Sequence, residues 1–343
     1  MTPLIEAVQV SKRFVRELDY AERLVRLLGA DLKPQVVHAV DTVDLKIMPG
    51  EVVGLVGESG CGKSTLGRML AGIMPQSRGD IRWNGQDRRK LGQRDARAAK
   101  LSAQMIFQDP MSSLNPRKRV VDIVGEAPVA HGIVSRREKD SYVAGLMERV
   151  GLDPVYRERY PHQFSGGQRQ RIGIARALAV KPQFIVCDES VAALDVSIQA
   201  QIINLFIDLK RDLGLTYLFI SHDIGVVKHI SDRVAIMYLG RIVESAPAEE
   251  FFARPNHPYT VALLDEVPSI ANRRRVFSPI KGEIPSPLSP PGGCHFHPRC
   301  PHAFERCREE APKLREIAPG HISACHLNDA QSTTKRPEIA AAS

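Results

Sequence analysis

Gly57-Glu58-Ser59-Gly60-Cys61-Gly62-Lys63-Ser64-Thr65 fits the pattern G-x-x-x-x-G-K-[ST] without a gap. It follows the apolar run Val52–Val56 and opens a helix predicted from about Lys63 to Ala71. Glycines let the backbone curl so that successive N–H groups point inward, and the helix start adds positive potential. Such a loop cradles phosphate. Lys63 is placed to reach the β- and γ-phosphates and the Ser64 hydroxyl to ligate Mg2+. Cys61 fills a position the pattern leaves open and reads as a small filler.

Working outward, Phe184-Ile185-Val186-Cys187-Asp188-Glu189 is an apolar strand ending in two acids. An aspartate at a buried strand end beside a phosphate loop can hold Mg2+, directly or through water. The following residue points elsewhere, so Glu189 can polarise an attacking water. Alone, such a pair is ordinary solvated surface. Downstream of a phosphate loop it reads as a site.

From about Ala7 to Phe252 the chain alternates strand-like and helix-like stretches, an α/β pattern. Val8–Phe14, Val43–Ile47, Gln104–Phe107 and Tyr217–Ile220 read as further strands. Their near-continuous apolar runs suit a parallel sheet buried on both faces. Val196–Leu213 and Asp140–Val150 have helical periodicity. Residues 109–182 carry few strand signals and read as an inserted helical subdomain, with Met111–Pro116 as a loop. Asp19–Lys33 interrupts the early strands and reads as an amphipathic helix in an insertion. The expected domain thus covers 1–263. Prolines then crowd the chain (Pro279, Pro285, Pro287, Pro290, Pro291), so 264–327 is expected to form an extended, irregular Cys/Pro-rich appendage rather than continue the sheet. Residues 328–343 are expected to be a disordered polar tail.

The 343 residues are 43% hydrophobic and 25% charged, a balance typical of soluble globular proteins. No apolar run approaches the roughly 20 residues a membrane span needs, and the start lacks a secretory leader, so a cytoplasmic setting is expected. The net charge is +8, and the densest basic stretch, Arg88, Arg89, Lys90, Arg94, Arg97 and Lys100, reads as a solvated helix face.

Phe164-Ser165-Gly166-Gly167-Gln168 precedes a helical run, Arg169–Leu178. This segment resembles the signature of ATP-binding-cassette (ABC) ATPases. The remaining markers of that family follow in order: Gln108 resembles the Q-loop glutamine, Ala193-Leu194-Asp195 the D-loop, and His222 the switch histidine. Phe14 stands where the family stacks an aromatic on adenine, with Tyr20 as an alternative. The resemblance implies a RecA-like P-loop ATPase core that binds ATP and Mg2+ through Gly57–Thr65, with Ser64, Gln108 and Asp188 around the metal and Glu189, Gln108 and His222 around the γ-phosphate. Ser165, Gly166, Gly167, Gln168 and Asp195 would act on the ATP of an opposite subunit, making ATP the glue of a head-to-tail dimer. Phe164, Ser190 and Ala192 depart from the residues usual in the family, but none removes a catalytic group.

The likeness reaches further. Phe107–Pro116, Asp195–Gln201 and Pro255–Thr260 resemble the dipeptide/oligopeptide importer ATPases, and the insertion after Phe14 resembles their second, F-type, subunit. The implied partners are two membrane permease subunits, a second ATPase (a paralogue or another copy) and an external substrate-binding protein, with no nucleic acid. The implied place is the cytoplasmic face of the inner membrane. Cargo other than peptide, such as nickel, glutathione or a glycoside, stays open. The competing class is a soluble ABC ATPase acting on DNA or the ribosome. DNA-repair members carry a long coiled-coil insertion and translation members two cassettes, and this chain shows neither.

Cys294, Cys300, Cys307 and Cys325 crowd the appendage without C-x-x-C spacing. Four thiolates can bind zinc or an iron–sulfur cluster, and His295, His297, His302, His321 and His326 keep mixed zinc ligation open. The family resemblance implies a 4Fe–4S cluster stapling a segment with little core of its own. Zinc and no metal remain the alternatives.

Overall fold

Two sheets share the chain in a computed structural model that describes residues 2–17, 34–109, 113–192, 194–265, 280 and 282–329. The predicted Asp19–Lys33 helix, Tyr20, Pro110, residues 111 and 112 of the predicted loop, Ala193, Pro279 and residues 330–343 lie outside the described residues. The smaller sheet joins β1 (Ile5–Arg16), β2 (Gln35–Ile47), β4 (Arg78–Trp83) and β5 (Gln86–Asp87) in the order β2-β1-β4-β5, all antiparallel. The larger sheet contains β3 (Val52–Val56), β6 (Ala103–Ile106), β7 (Phe184–Asp188), β8 (Thr216–Ile220), β9 (Arg233–Tyr238), β10 (Arg241–Pro247), β11 (Arg315–Ala318) and β12 (His321–Ser323). Its order is β11-β12-β10-β9-β3-β8-β7-β6. The run β9-β3-β8-β7-β6 is parallel. Every residue of β3, β7 and β8 is buried, which is why these strands lack polar alternation.

Helix α1 (Lys63–Leu70) crosses one face and packs Leu66, Met69 and Leu70 into a cluster with Val53, Leu55, Val186 and Ile220. Helix α2 (Gln93–Ser102) precedes β6. The opposite face carries α3 (Val120–Ala130), α4 (Lys139–Arg149), α5 (Gly166–Leu178) and α6 (Val196–Leu213). Val143, Met147, Ile172 and Ile174 pack there with Ile185, Phe206 and Phe219. Between Ile106 and Phe184 the described residues form no strand, as the sequence implied. Among the described residues four short helices follow: α7 (Ile224–Ile230), α8 (Ala248–Ala253), α9 (Pro258–Asp265) and α10 (Glu305–Glu309).

The C-terminal segment departs from expectation, because it does continue the sheet. Strand β12 pairs antiparallel with β10 through Glu244↔Ser323 and Ser245↔Ile322, and β11 pairs with β12. Nor does the segment lack a core, since Phe296 is buried among Tyr238, Phe251 and Tyr259 of the ATPase portion. The expected tail also starts too early. Asn328 exchanges amide hydrogen bonds with Asn256, and Asp329 pairs with Arg306 and Arg315. Short runs such as Arg315–Ala318 and His321–Ser323 are too brief to signal strands without the β10 edge to receive them.

The basic stretch is mixed. Arg94, Arg97 and Lys100 lie on α2, but Arg88 turns inward to the carbonyl of Leu70 at 2.7 Å and stacks on Trp83. Burial lowers its pKa to about 10. No helix among the described residues is long and apolar enough to cross a membrane.

Candidate active site

Strands β3, β8, β7 and β6 lie side by side and parallel, so their carboxyl ends open on one edge of the sheet. The phosphate loop leaves β3, Gln108 follows β6, Asp188 and Glu189 close β7, and His222 follows β8. Ser64 Oγ donates to Asp188 Oδ1 at 2.7 Å. Gln108 Nε2 donates to Glu189 Oε2 at 2.9 Å, and His222 Nδ1 stands 3.5 Å from Glu189 Oε1. Ser64, Gln108 and His222, all singled out in the sequence, thus converge on one pair of acids. Gln108, expected beside the metal, spends its amide on Glu189 here.

Glu189 sits in the left-handed region, φ 47°, which is uncommon for a side chain with a Cβ. Its N–H donates to the carbonyl of Ile220 at 3.0 Å, two residues before His222, so the end of β8 positions both partners of the pair. Lys63 is buried and its ammonium donates to the carbonyls of Gly57 at 2.7 Å and Glu58 at 2.9 Å, so the loop's own oxygens occupy it. Burial raises the pKa of Asp188, against the hydrogen bond from Ser64. A buried carboxylate beside a hydroxyl is a hard-oxygen donor set, and a divalent cation would offset that cost, so the residues fit Mg2+.

Two further groups flank the loop. Phe14, on β1, lies opposite Val37 of β2 and is 40% exposed. Two residues on, the carbonyl of Ala39 presses so close to Gly62, φ 109°, that a Cβ there would collide with it. Pairing with β2 therefore holds Phe14 near the loop. Cys61 is buried beside it as the expected filler.

The signature residues form the start of α5. Ser165 is the N-cap, accepting from Gln168 N, while Gln168 Oε1 accepts from Ser165 N at 3.0 Å. Gln168 thus serves a capping box, a role the S-x-x-Q spacing spells out and the nucleotide assignment overlooks. Gly167 faces Ile198 of α6, whose Cγ2 would lie 2.5 Å from an added Cβ. Asp195 caps α6 without a side-chain hydrogen bond to that helix, leaving its carboxylate unspent on it.

Arg299 joins the site from outside every motif. Its guanidinium grips Glu58 of the phosphate loop with two bonds, Nη1 to Oε2 at 2.8 Å and Nη2 to Oε1 at 3.0 Å. The main-chain N–H of Glu58 donates to the Tyr259 hydroxyl at 3.0 Å. The nearest sequence signal for Arg299 is its place beside Cys300.

The four appendage cysteines line one small cavity of about 20 Å3, together with His257, His297, His302 and His326. Burial pushes the thiols of Cys300 and Cys325 up, to about 11 and about 12, and raises Cys294 as well. Among the described residues no group of three or more His, Cys, Asp or Glu side chains is arranged to hold a metal ion.

These strand-end groups, on a sheet with a helical insertion, define an ABC-type P-loop ATPase. The family described as "ABC transporter" matches residues 40–192, and "Oligopeptide/dipeptide transporter, C-terminal region" matches 243–307. The oligopeptide transport ATP-binding protein AppF of Bacillus subtilis is 51% identical over 295 residues, 85% of this chain and 90% of that one. The dipeptide transport ATP-binding protein DppF of Haemophilus influenzae is 44% identical over 325 residues, 94% of this chain and 96% of that one. Among solved structures, cbiO1 of Clostridium perfringens, part of an ABC transporter complex, superposes with a TM-score of 0.60 at 25% identity, covering 74% of this chain and 92% of its own. A dimeric ATP-binding cassette bound to ADP and Pi shares the fold, with a TM-score of 0.59 at 24% identity over 71% of this chain and 98% of its own. The chain belongs to the ATP-binding subunits of the oligopeptide/dipeptide ABC transporter family, and it is an ATPase.

Proposed function

We propose that this subunit hydrolyses ATP to drive import of dipeptides or oligopeptides. It would do so as one half of an ATP-sandwich dimer, peripheral to the cytoplasmic face of the membrane and bound to two permease subunits fed by an external binding protein. The observation that carries the chemistry is Glu189 held between Gln108 and His222, beside the Ser64–Asp188 pair. The peptide cargo rests on relatives named for peptide transport that align over most of this chain.

In this reading Lys63 exchanges the loop carbonyls for the β/γ-phosphates, and Ser64 and Asp188 hold Mg2+, which shields the phosphate charge. Phe14 stacks on the adenine. Glu189 accepts the proton of the attacking water, while Gln108 and His222 hold its carboxylate and respond to the γ-phosphate. Ser165, Gly166, Gly167 and Asp195 complete the site of the opposing subunit. Glu189→Gln removes the base but keeps the shape. It is expected to cut ATP turnover by about a hundredfold or more and to trap an ATP-bound dimer in gel filtration. Normal turnover by that variant overturns the assignment of Glu189.

The same proposal places a 4Fe–4S cluster at Cys294, Cys300, Cys307 and Cys325. Convergence of the four thiols on one cavity supports it. Each thiolate of such a cluster binds a different iron, so the sulfurs need not meet within reach of one ion, as zinc would require. Iron and sulfide near four per chain after anaerobic purification support the cluster. Stoichiometric zinc, or no metal, overturns it and leaves the ATPase untouched.

A further inference from the structure

Every polar group of Glu58 is engaged. Its N–H meets the Tyr259 hydroxyl, its carbonyl takes the Lys63 ammonium, and its carboxylate takes the Arg299 fork. Phosphate binding itself asks for no particular side chain at this position. Yet here an acid stands within the loop that must receive a highly charged anion. Arg299, its side chain 5% exposed, neutralises that acid and holds it in a fixed place. Arg299 is placed by the short helical turn His297–Arg299, and Phe296 anchors that turn against Tyr238 and Tyr259.

We propose that Arg299 is a positioning residue of the ATP site: by holding the Glu58 carboxylate, it keeps that anion off Lys63, so that phosphate has only the loop carbonyls to displace. Lys63 already lies 2.9 Å from the Glu58 carbonyl. Released from Arg299, the carboxylate of the same residue becomes an internal anion competing with ATP for that ammonium. Competition of this kind weakens nucleotide binding and leaves the hydrolytic groups that follow β6, β7 and β8 in place. The inference rests on the ATPase assignment and is independent of the peptide cargo and of any metal at the cysteines.

The test is a cycle on the full-length chain, reading equilibrium Mg-ATP affinity, KM and kcat, with circular dichroism as a check on folding. Arg299→Met is expected to raise Kd and KM for ATP about tenfold while kcat changes less than about threefold. Adding Glu58→Gln to that variant removes the competing anion and is expected to restore affinity to within about threefold of the parent. A purely structural role for Arg299 would not be rescued in this way. A folded Arg299→Met with unaltered ATP affinity, or a double variant as weak as the single, overturns the proposal. Should Arg299→Met not fold, Arg299→Lys keeps the charge and loses the fork. Weakening by about threefold or more, reversed by Glu58→Gln, supports the role, and unaltered affinity overturns it.

Discussion

Gly167 measures how closely the signature loop is packed. An added Cβ would meet Ile198 Cγ2 at 2.5 Å, closer than two carbons approach, so the Ile198 side chain or one of the two helices must shift. Gly167→Ala is expected to lower stability by about 1–3 kcal/mol, read as a drop in the denaturant midpoint. Ile198→Ala in the same chain opens the space and is expected to recover part of that loss; no recovery would mean that the glycine serves another need. The letters S-G-G-Q were enough to place a helix start. That the second glycine is demanded by an isoleucine on the next helix was not, because Ile198 is brought there by the packing of α6 on the helical layer.

At the scale of elements, the start of α9 is set by a buried histidine. His257 Nδ1 accepts from Tyr259 N at 3.1 Å, and the ring also bonds the backbone of Ala324 in the C-terminal segment. The ring is neutral in this arrangement, and burial lowers its pKa to about 4, against the pull of Glu244. Unfolded, it titrates near its ordinary value of about 6.5. Between those values the unfolded chain holds the extra proton, so stability is complete above about pH 6.5 and falls as pH drops toward about 4, by at most about 1.4 kcal/mol per pH unit. His257→Asn is expected to be less stable at about pH 7.5 yet to show a flatter decline over that window in thermal midpoints. An undiminished slope would assign the effect to other groups. The sequence offered His257 only as part of Pro255–Thr260, and a histidine's protonation follows from what encloses it.

Across the whole molecule, the C-terminal segment is part of the ATPase's own architecture. Its strand β12 covers the β10 edge, and its Phe296 completes a core with Tyr238 and Tyr259. A chain truncated after Asp265 leaves that edge and those aromatics to solvent, and is expected to aggregate on light scattering and to bind a hydrophobic dye. A monodisperse truncated chain with unchanged ATP affinity would show the segment to be dispensable.

The sequence by itself determined the phosphate loop, the acids ending β7, the order of the parallel-sheet motifs and the helical insertion. Each of these is written in contiguous residues, where backbone curl, strand burial and helix periodicity are local properties. Only the tertiary structure decided that Glu58 is met by Arg299, 241 residues away, that Gly167 is hemmed in by Ile198, and that the cysteine-bearing segment extends the sheet. Those contacts depend on which distant surfaces pack together, and no local spacing encodes the choice.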